Sequence, residues 1–222
     1  MIFVNFKSTY KGTGESAQTL AKIMQNAQKE TGVEIIAAVH DLDASRVREI
    51  YKGDVWLQHA DIPSEYGGTG KTCCETISEL GYHIDGVFLN HSEHRYAQFE
   101  QIVNTVNDAK KFGIKTLVFA ALEFEVERAC QMNPNYVAYE PPELVGSTTT
   151  SVADAHPESI KKAAEICKKY NTPLIVGAGV HSKKDVVTSL ELGAAGIAVS
   201  TDIVKAENPA KELKELIGGF NS

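Results

Sequence analysis

Apolar residues in this chain fall into short runs of about six, separated by stretches with a period near three and a half. The first run is Ile2-Phe3-Val4-Asn5-Phe6-Lys7. Ala17, Leu20, Ala21 and Met24 follow at the i, i+3, i+4, i+7 spacing of an amphipathic helix, which Gly32 stops. The alternation then repeats. Further strands are expected at residues 33–39, 55–58, 85–90, 115–120, 135–138, 173–176 and 195–199. Helices are expected through Val47 and Ile50 up to Gly53, around Ile77 and Leu80 up to Gly81, from Phe99 to Gly113, and around Val126, Ala129 and Cys130. Pro157 suits a first helical position, with Ile160, Ala163, Ala164 and Cys167 on one apolar face. Ser182 and Asp185 have capping-box spacing, and Asn208-Pro209 opens a last helix.

Strands that are apolar on both faces, in strict alternation with helices, imply a parallel sheet covered on both sides. Eight such units favour a single-domain closed (β/α)8 barrel over residues 1–222, in preference to an open doubly wound sheet. At 222 residues it is compact beside the roughly 250 typical of such barrels. No low-complexity segment or linker interrupts the repeat.

Composition narrows the functions. The chain is 43% hydrophobic and 23% charged, enough to bury a sizeable core, and its formal charge is −7. There is no basic block or arm for nucleic acid and no apolar run of membrane length. The start of the chain lacks the pattern of a signal peptide, so a cytoplasmic location is expected. Cys73, Cys74, Cys130 and Cys167 match no zinc spacing and read as reduced small hydrophobes, three of them in helices. His91 and His94 stand three apart with no third ligand nearby, so neither a metal nor a cofactor is expected.

In a closed barrel the chemistry sits at the C-terminal ends of the strands. The first strand ends in Asn5 and Lys7, whose i, i+2 spacing puts both on one strand face. The fourth ends in Asn90-His91-Ser92-Glu93 and the sixth in Glu140, followed by Pro141-Pro142-Glu143-Leu144-Val145-Gly146. The seventh runs into Gly177-Ala178-Gly179 and the eighth into Ser200-Thr201. Each has an ordinary structural explanation by itself. Together they offer a base, an electrophile, a cation and a phosphate cradle.

Asn5-Phe6-Lys7, Asn90-His91-Ser92-Glu93 and Tyr139-Glu140-Pro141 with Gly146 occur in an order that resembles the triosephosphate isomerase family, over the whole chain. The length and the Pro141-Pro142-Glu143-Leu144 loop are similar to its short archaeal form. The resemblance implies interconversion of glyceraldehyde 3-phosphate and dihydroxyacetone phosphate, with Glu140 as base, His91 as neutral electrophile and Lys7 as the charge facing the enediolate. It further implies that Asn5 orients substrate, that Glu93 supports Lys7, and that Ser92 holds the local geometry. The loop from Pro141 to about Thr148 becomes a lid, and amides near Val145, Gly146, Gly179, Ser200 and Thr201 grip the phosphate. It implies a homo-oligomer, a tetramer built as a dimer of dimers, with Tyr96 and Phe99 as candidates for an exposed apolar patch.

Three positions depart from the family pattern. Ser200-Thr201 stands where glycine is usual, and a positive φ at Thr201 would be strained. Gly146-Ser147-Thr148 lacks a second glycine. His94 replaces an arginine or asparagine where a subunit contact is expected. The competing readings are another sugar-phosphate barrel enzyme, a barrel that binds sugar phosphate without turnover, and a nucleoside triphosphatase. The last rests on Gly67-Gly68-Thr69-Gly70-Lys71-Thr72, which ends like a P-loop but has Glu65 where the first glycine belongs.

Overall fold

The computed structural model describes residues 1–63, 68–147 and 150–221. In chain order the elements are β1 (Ile2–Asn5), α1 (Gly14–Thr31), β2 (Ile35–Val39), α2 (Ala44–Ile50), β3 (Val55–Leu57), α3 (Cys74–Ser78), β4 (Gly86–Leu89), α4 (Phe99–Lys111), β5 (Lys115–Ala120), α5 (Glu123–Gln131), β6 (Tyr136–Tyr139), α6 (Val152–Ala155), α7 (Pro157–Lys169), β7 (Leu174–Val176), α8 (Lys183–Glu191), β8 (Gly196–Val199), α9 (Thr201–Val204) and α10 (Pro209–Ile217). The strands pair in parallel in sequence order, and β8 returns to β1, so the sheet closes into a barrel. The eight expected strands and their order are all present.

Alternation along each strand sorts the core into two. Phe3, Ile36, Ala38, Trp56, Phe88, Leu117, Phe119, Ala138, Ile175 and Ala198 point inward and fill the barrel. Their neighbours, such as Ile2, Val4, Val87, Val118 and Val176, point outward against the helices. The interior is a mesh of aromatic rings, with Phe3 edge-on to Trp56 at 5.2 Å between centroids and Phe88 edge-on to Phe119 at 5.0 Å. Gly86 is required by this packing, because a Cβ there would come within 2.4 Å of the Trp56 ring.

Several helix boundaries follow from local chemistry. Gly32 caps α1 in the left-handed conformation, φ 71°. Ser182 and Asp185 form the capping box of α8, and Asn208 accepts the Lys211 amide at the start of α10. Asp43 accepts the Gly14 amide at 3.1 Å and so fixes the start of α1 from the opposite loop. Other expectations need correction. The helix around Ile77 ends at Ser78, so Leu80 lies beyond it rather than in a helix running to Gly81. Two short helices, α6 and α9, were not expected. Lys7 is outside β1, which ends at Asn5.

The four cysteines are free. Cys74, Cys130 and Cys167 lie in α3, α5 and α7, and the sulfurs of Cys130 and Cys167 approach to 3.6 Å where α5 packs on α7. Among the described residues, no helix is long and apolar enough to cross a membrane.

Candidate active site

Phe88, Phe119 and Ala198, from the top of the barrel filling, floor a cavity at the C-terminal mouth. Asn5, His91 and Glu140 stand on that floor. Glu140 follows β6 directly, and its amide continues the sheet pattern by donating to Ala120 O at 2.8 Å. Its side chain is only 7% exposed. A carboxylate so buried is costly unless donors reach it. Ser92 Oγ donates to one oxygen at 3.0 Å, and His91 Nε2 lies 3.3 Å from the other.

His91 is held from behind. Asn90 adopts φ 63°, turning the chain sharply at the end of β4, and its side chain donates to Phe119 O at 3.1 Å. The Glu93 amide then donates to His91 Nδ1 at 3.2 Å. A nitrogen that accepts keeps its lone pair, so the ring proton belongs on Nε2, the atom that faces the cavity. Nε2 is 3.5 Å from Asn5 Nδ2, and the ring stands edge-on to Phe119.

Lys7 reaches the mouth by a different route from the one expected. It has φ 57°, and its amide donates to Asn5 Oδ1 at 3.0 Å. A left-handed turn therefore places it, not alternation along a strand, and the expectation that Asn5 and Lys7 share one strand face is corrected. Its Nζ pairs with the Glu93 carboxylate. Desolvation pushes the Glu93 carboxyl up, but the Lys7 hydrogen bond and charge, with His91 and Lys205, outweigh it and hold Glu93 below its usual range. Lys7 and Glu93 border an adjoining cavity, which shares Asn5 and His91 with the Glu140 cavity.

The rest of the Glu140 cavity is built from the loops after β6, β7 and β8. Val145, Gly146, Gly179, Ser200 and Thr201 all line it, joined by Ser147 and Ala178 from the same loops and by Asp202, which sequence reasoning did not single out. After Glu140 the chain makes a 3-10 turn over Pro142–Leu144. The far end of that loop is tied down where the Val152 amide donates to Ala178 O at 3.2 Å. Thr148 lies outside the described residues. Gly179 has φ 66°, and a Cβ there would meet Thr150 O at 2.2 Å, so only glycine lets these two loops approach. Ser200 Oγ is buried with no hydrogen-bond partner among the described residues. Thr201 opens α9 and is not among the positive-φ residues, so the strain feared there is absent.

One further expectation is corrected. Tyr96 is tied into the fold by donating its hydroxyl to Ala60 O, and Phe99 lies beneath the Arg128 guanidinium at 3.5 Å. The exposed apolar side chains nearby are Leu122 and Phe124 instead. The P-loop-like stretch includes Gly67, outside the described residues. Its described part turns at Gly68–Lys71, is tied to Asp61 through the Thr72 amide, and reaches α3 only at Cys74. It does not form the strand-loop-helix of a nucleotide cradle. Among the described residues, no group of three or more His, Cys, Asp or Glu is placed to hold a metal.

A closed (β/α)8 barrel with a paired carboxylate and imidazole at its C-terminal mouth defines the class of barrel enzymes whose strand-tip residues carry the chemistry. Comparison with known proteins narrows that class. A family model described as Triosephosphate isomerase matches residues 1–120. A second, described as Thiazole biosynthesis protein ThiG, matches residues 150–217. The triosephosphate isomerase of Methanopyrus kandleri is 36% identical over 99% of this chain and 97% of its own length. That of Metallosphaera sedula is 35% identical over 99% and 95%, and that of Thermoplasma volcanium 33% over 97% and 98%. The chain belongs to the triosephosphate isomerase family.

Proposed function

We propose that this chain interconverts D-glyceraldehyde 3-phosphate and dihydroxyacetone phosphate, a step of glycolysis and gluconeogenesis, by proton transfer through an enediolate. Glu140 takes a proton from the carbon beside the carbonyl and returns it to the neighbouring carbon. His91, with its proton on Nε2, polarises the carbonyl oxygen and exchanges protons between the two oxygens. Asn5 orients the substrate, and Lys7, held by Glu93, supplies positive charge to the developing enediolate. The phosphate lies between the loops after β6, β7 and β8, near the amides of Val145, Gly146, Gly179, Ser200 and Thr201. The loop after Glu140 acts as the lid, excluding water and protecting the enediolate from loss of phosphate.

The observation that carries this reading is the Glu140–His91 pair. A buried carboxylate and the cavity-facing nitrogen of a back-anchored imidazole stand 3.3 Å apart at a barrel mouth. The test is isomerisation of glyceraldehyde 3-phosphate by wild type and Glu140→Gln without added metal. A loss on the order of 10³ or more in kcat fixes the base. Wild-type turnover retained in the variant removes Glu140 from the role.

The working form we propose is a homotetramer built as a dimer of dimers. Its substrate is a charged metabolite that does not pass a bilayer unaided, and we place the enzyme in the cytoplasm. Purification of active enzyme from the soluble fraction of its own cells, or from the membrane fraction, decides that placement.

A further inference from the structure

Among the described residues, the cavity that holds Glu140 carries no lysine or arginine in its lining, yet it has a second carboxylate, Asp202. Asp202 sits in the first turn of α9, half-buried, beside the unpartnered Ser200 hydroxyl and across from Gly179. It lines the cavity together with Gly179, Ser200 and Thr201. The side chain thus puts an anion where, on the reading proposed above, the phosphate of the substrate must lie. Two anions so close in a partly dry site cannot both keep full charge at no cost.

We propose that Asp202 sets the charge preference of this site, and that binding of a phosphate ester dianion is coupled to proton uptake from solvent by the Asp202 carboxylate. The groups facing Asp202 are few. His181 comes from the loop after β7, Asp185 from α8 and Glu212 from α10. His181 is the one group of the three that lowers the carboxyl's affinity for a proton, and it is itself engaged with Gly179 O and Asp185. In the empty site, burial already pushes the Asp202 carboxyl above its usual range, against His181 and its own amide. An incoming phosphate adds a further push in the same direction. Each unit of that push appears as a tenfold change in affinity for the ligand across the titration.

The experiment is calorimetric titration of wild type and Asp202→Asn with glycerol 3-phosphate, which has the phosphate but no carbonyl. Each titration is run in two buffers of different ionisation enthalpy, over a range of pH. Proton changes at Glu140 are common to both proteins and cancel in the comparison. At pH between the free and bound titrations of Asp202, wild type is expected to take up about half a proton more than the variant, as a shift of about one unit allows. Above both titrations the variant binds on the order of tenfold more tightly, and the advantage fades as pH falls. Asp202→Ser gives the same result if charge is the cause, whatever the amide does to α9. Binding with equal proton uptake in all three proteins overturns the role of Asp202 alone. No binding, and no competition with triose phosphate, overturns the phosphate placement and this proposal with it.

Discussion

At the scale of single residues, Glu140 depends on a small number of donors. Among the described residues, Ser92 Oγ and His91 are the groups that reach its carboxyl oxygens. Removing the Ser92 hydroxyl leaves one buried oxygen without its hydrogen bond, and frees the carboxylate to rotate away from the cavity floor. Ser92→Ala is expected to lose about tenfold in kcat/KM while stability falls by only about 1 kcal/mol, as one hydrogen bond allows. Steady-state kinetics beside urea denaturation check the pair of values. An unchanged kcat/KM would show that Glu140 holds its position without Ser92.

Sequence motifs reveal which residues meet at the mouth better than they reveal how each gets there. Asn5, His91 and Glu140 were legible because each terminates an apolar run, and a barrel gathers all run ends on one rim. Lys7 arrives through a left-handed turn that its own residue type does not announce. Asp202 was not legible as a lining residue, and Ala178 only as part of a glycine turn. Their place depends on how the loops after β7 and β8 meet, which involves contacts far apart in the chain.

At the scale of elements, the legible boundaries are those with a local cause. Gly32, Pro157, Ser182 with Asp185, and Asn208-Pro209 each satisfy or remove a backbone donor within a few residues. The single turns α6 and α9 are too short for a hydrophobic period, although Ser151, accepting the Asp154 amide, is a cap that the sequence does contain. The α8 cap does more than begin a helix. Asp185 is 2% exposed and accepts from the Ser182 hydroxyl and amide and from the His181 amide, fixing the loop that carries Gly179. Desolvation pushes its carboxyl up, but hydrogen bonds from Ser151, Ser182 and the His181 amide, with the charge of His181, outweigh it and hold the carboxyl below the usual range. A carboxyl depressed on folding gives stability that is present above its unfolded value and is lost as pH falls through the folded one. Asp185→Ala is therefore expected to cost about 2 to 3 kcal/mol at neutral pH. The gap to wild type should close below about pH 4. Urea midpoints measured across that range test it, and a gap independent of pH would assign the loss to packing alone.

At the scale of the whole molecule, the fold leaves several large apolar side chains in water among the described residues. Tyr10 and Leu42 are 82% and 81% exposed, Leu122 and Phe124 are 53% and 57% exposed at the start of α5, and Phe112 is 38% exposed after α4. Exposed large apolar groups that cluster call for a covering surface. The neighbouring Leu122 and Phe124 suit one of the contacts that a dimer of dimers needs. Light scattering at assay concentration is expected to give four times the chain mass, and Phe124→Lys with Leu122→Lys to halve it. A monomeric wild type would sink the assembly.

The barrel filling carries one more consequence. Trp56 is the only tryptophan of the chain, fully buried, with rings from β1, β4 and β6 around it. Those rings come from Phe3, Phe88 and Tyr136, separated by long stretches of sequence. No helix-strand unit formed alone can give Trp56 that environment. Its fluorescence is therefore an intrinsic clock for assembly of the barrel interior, reporting the moment the first and middle thirds of the chain meet, while circular dichroism follows the helices that precede it.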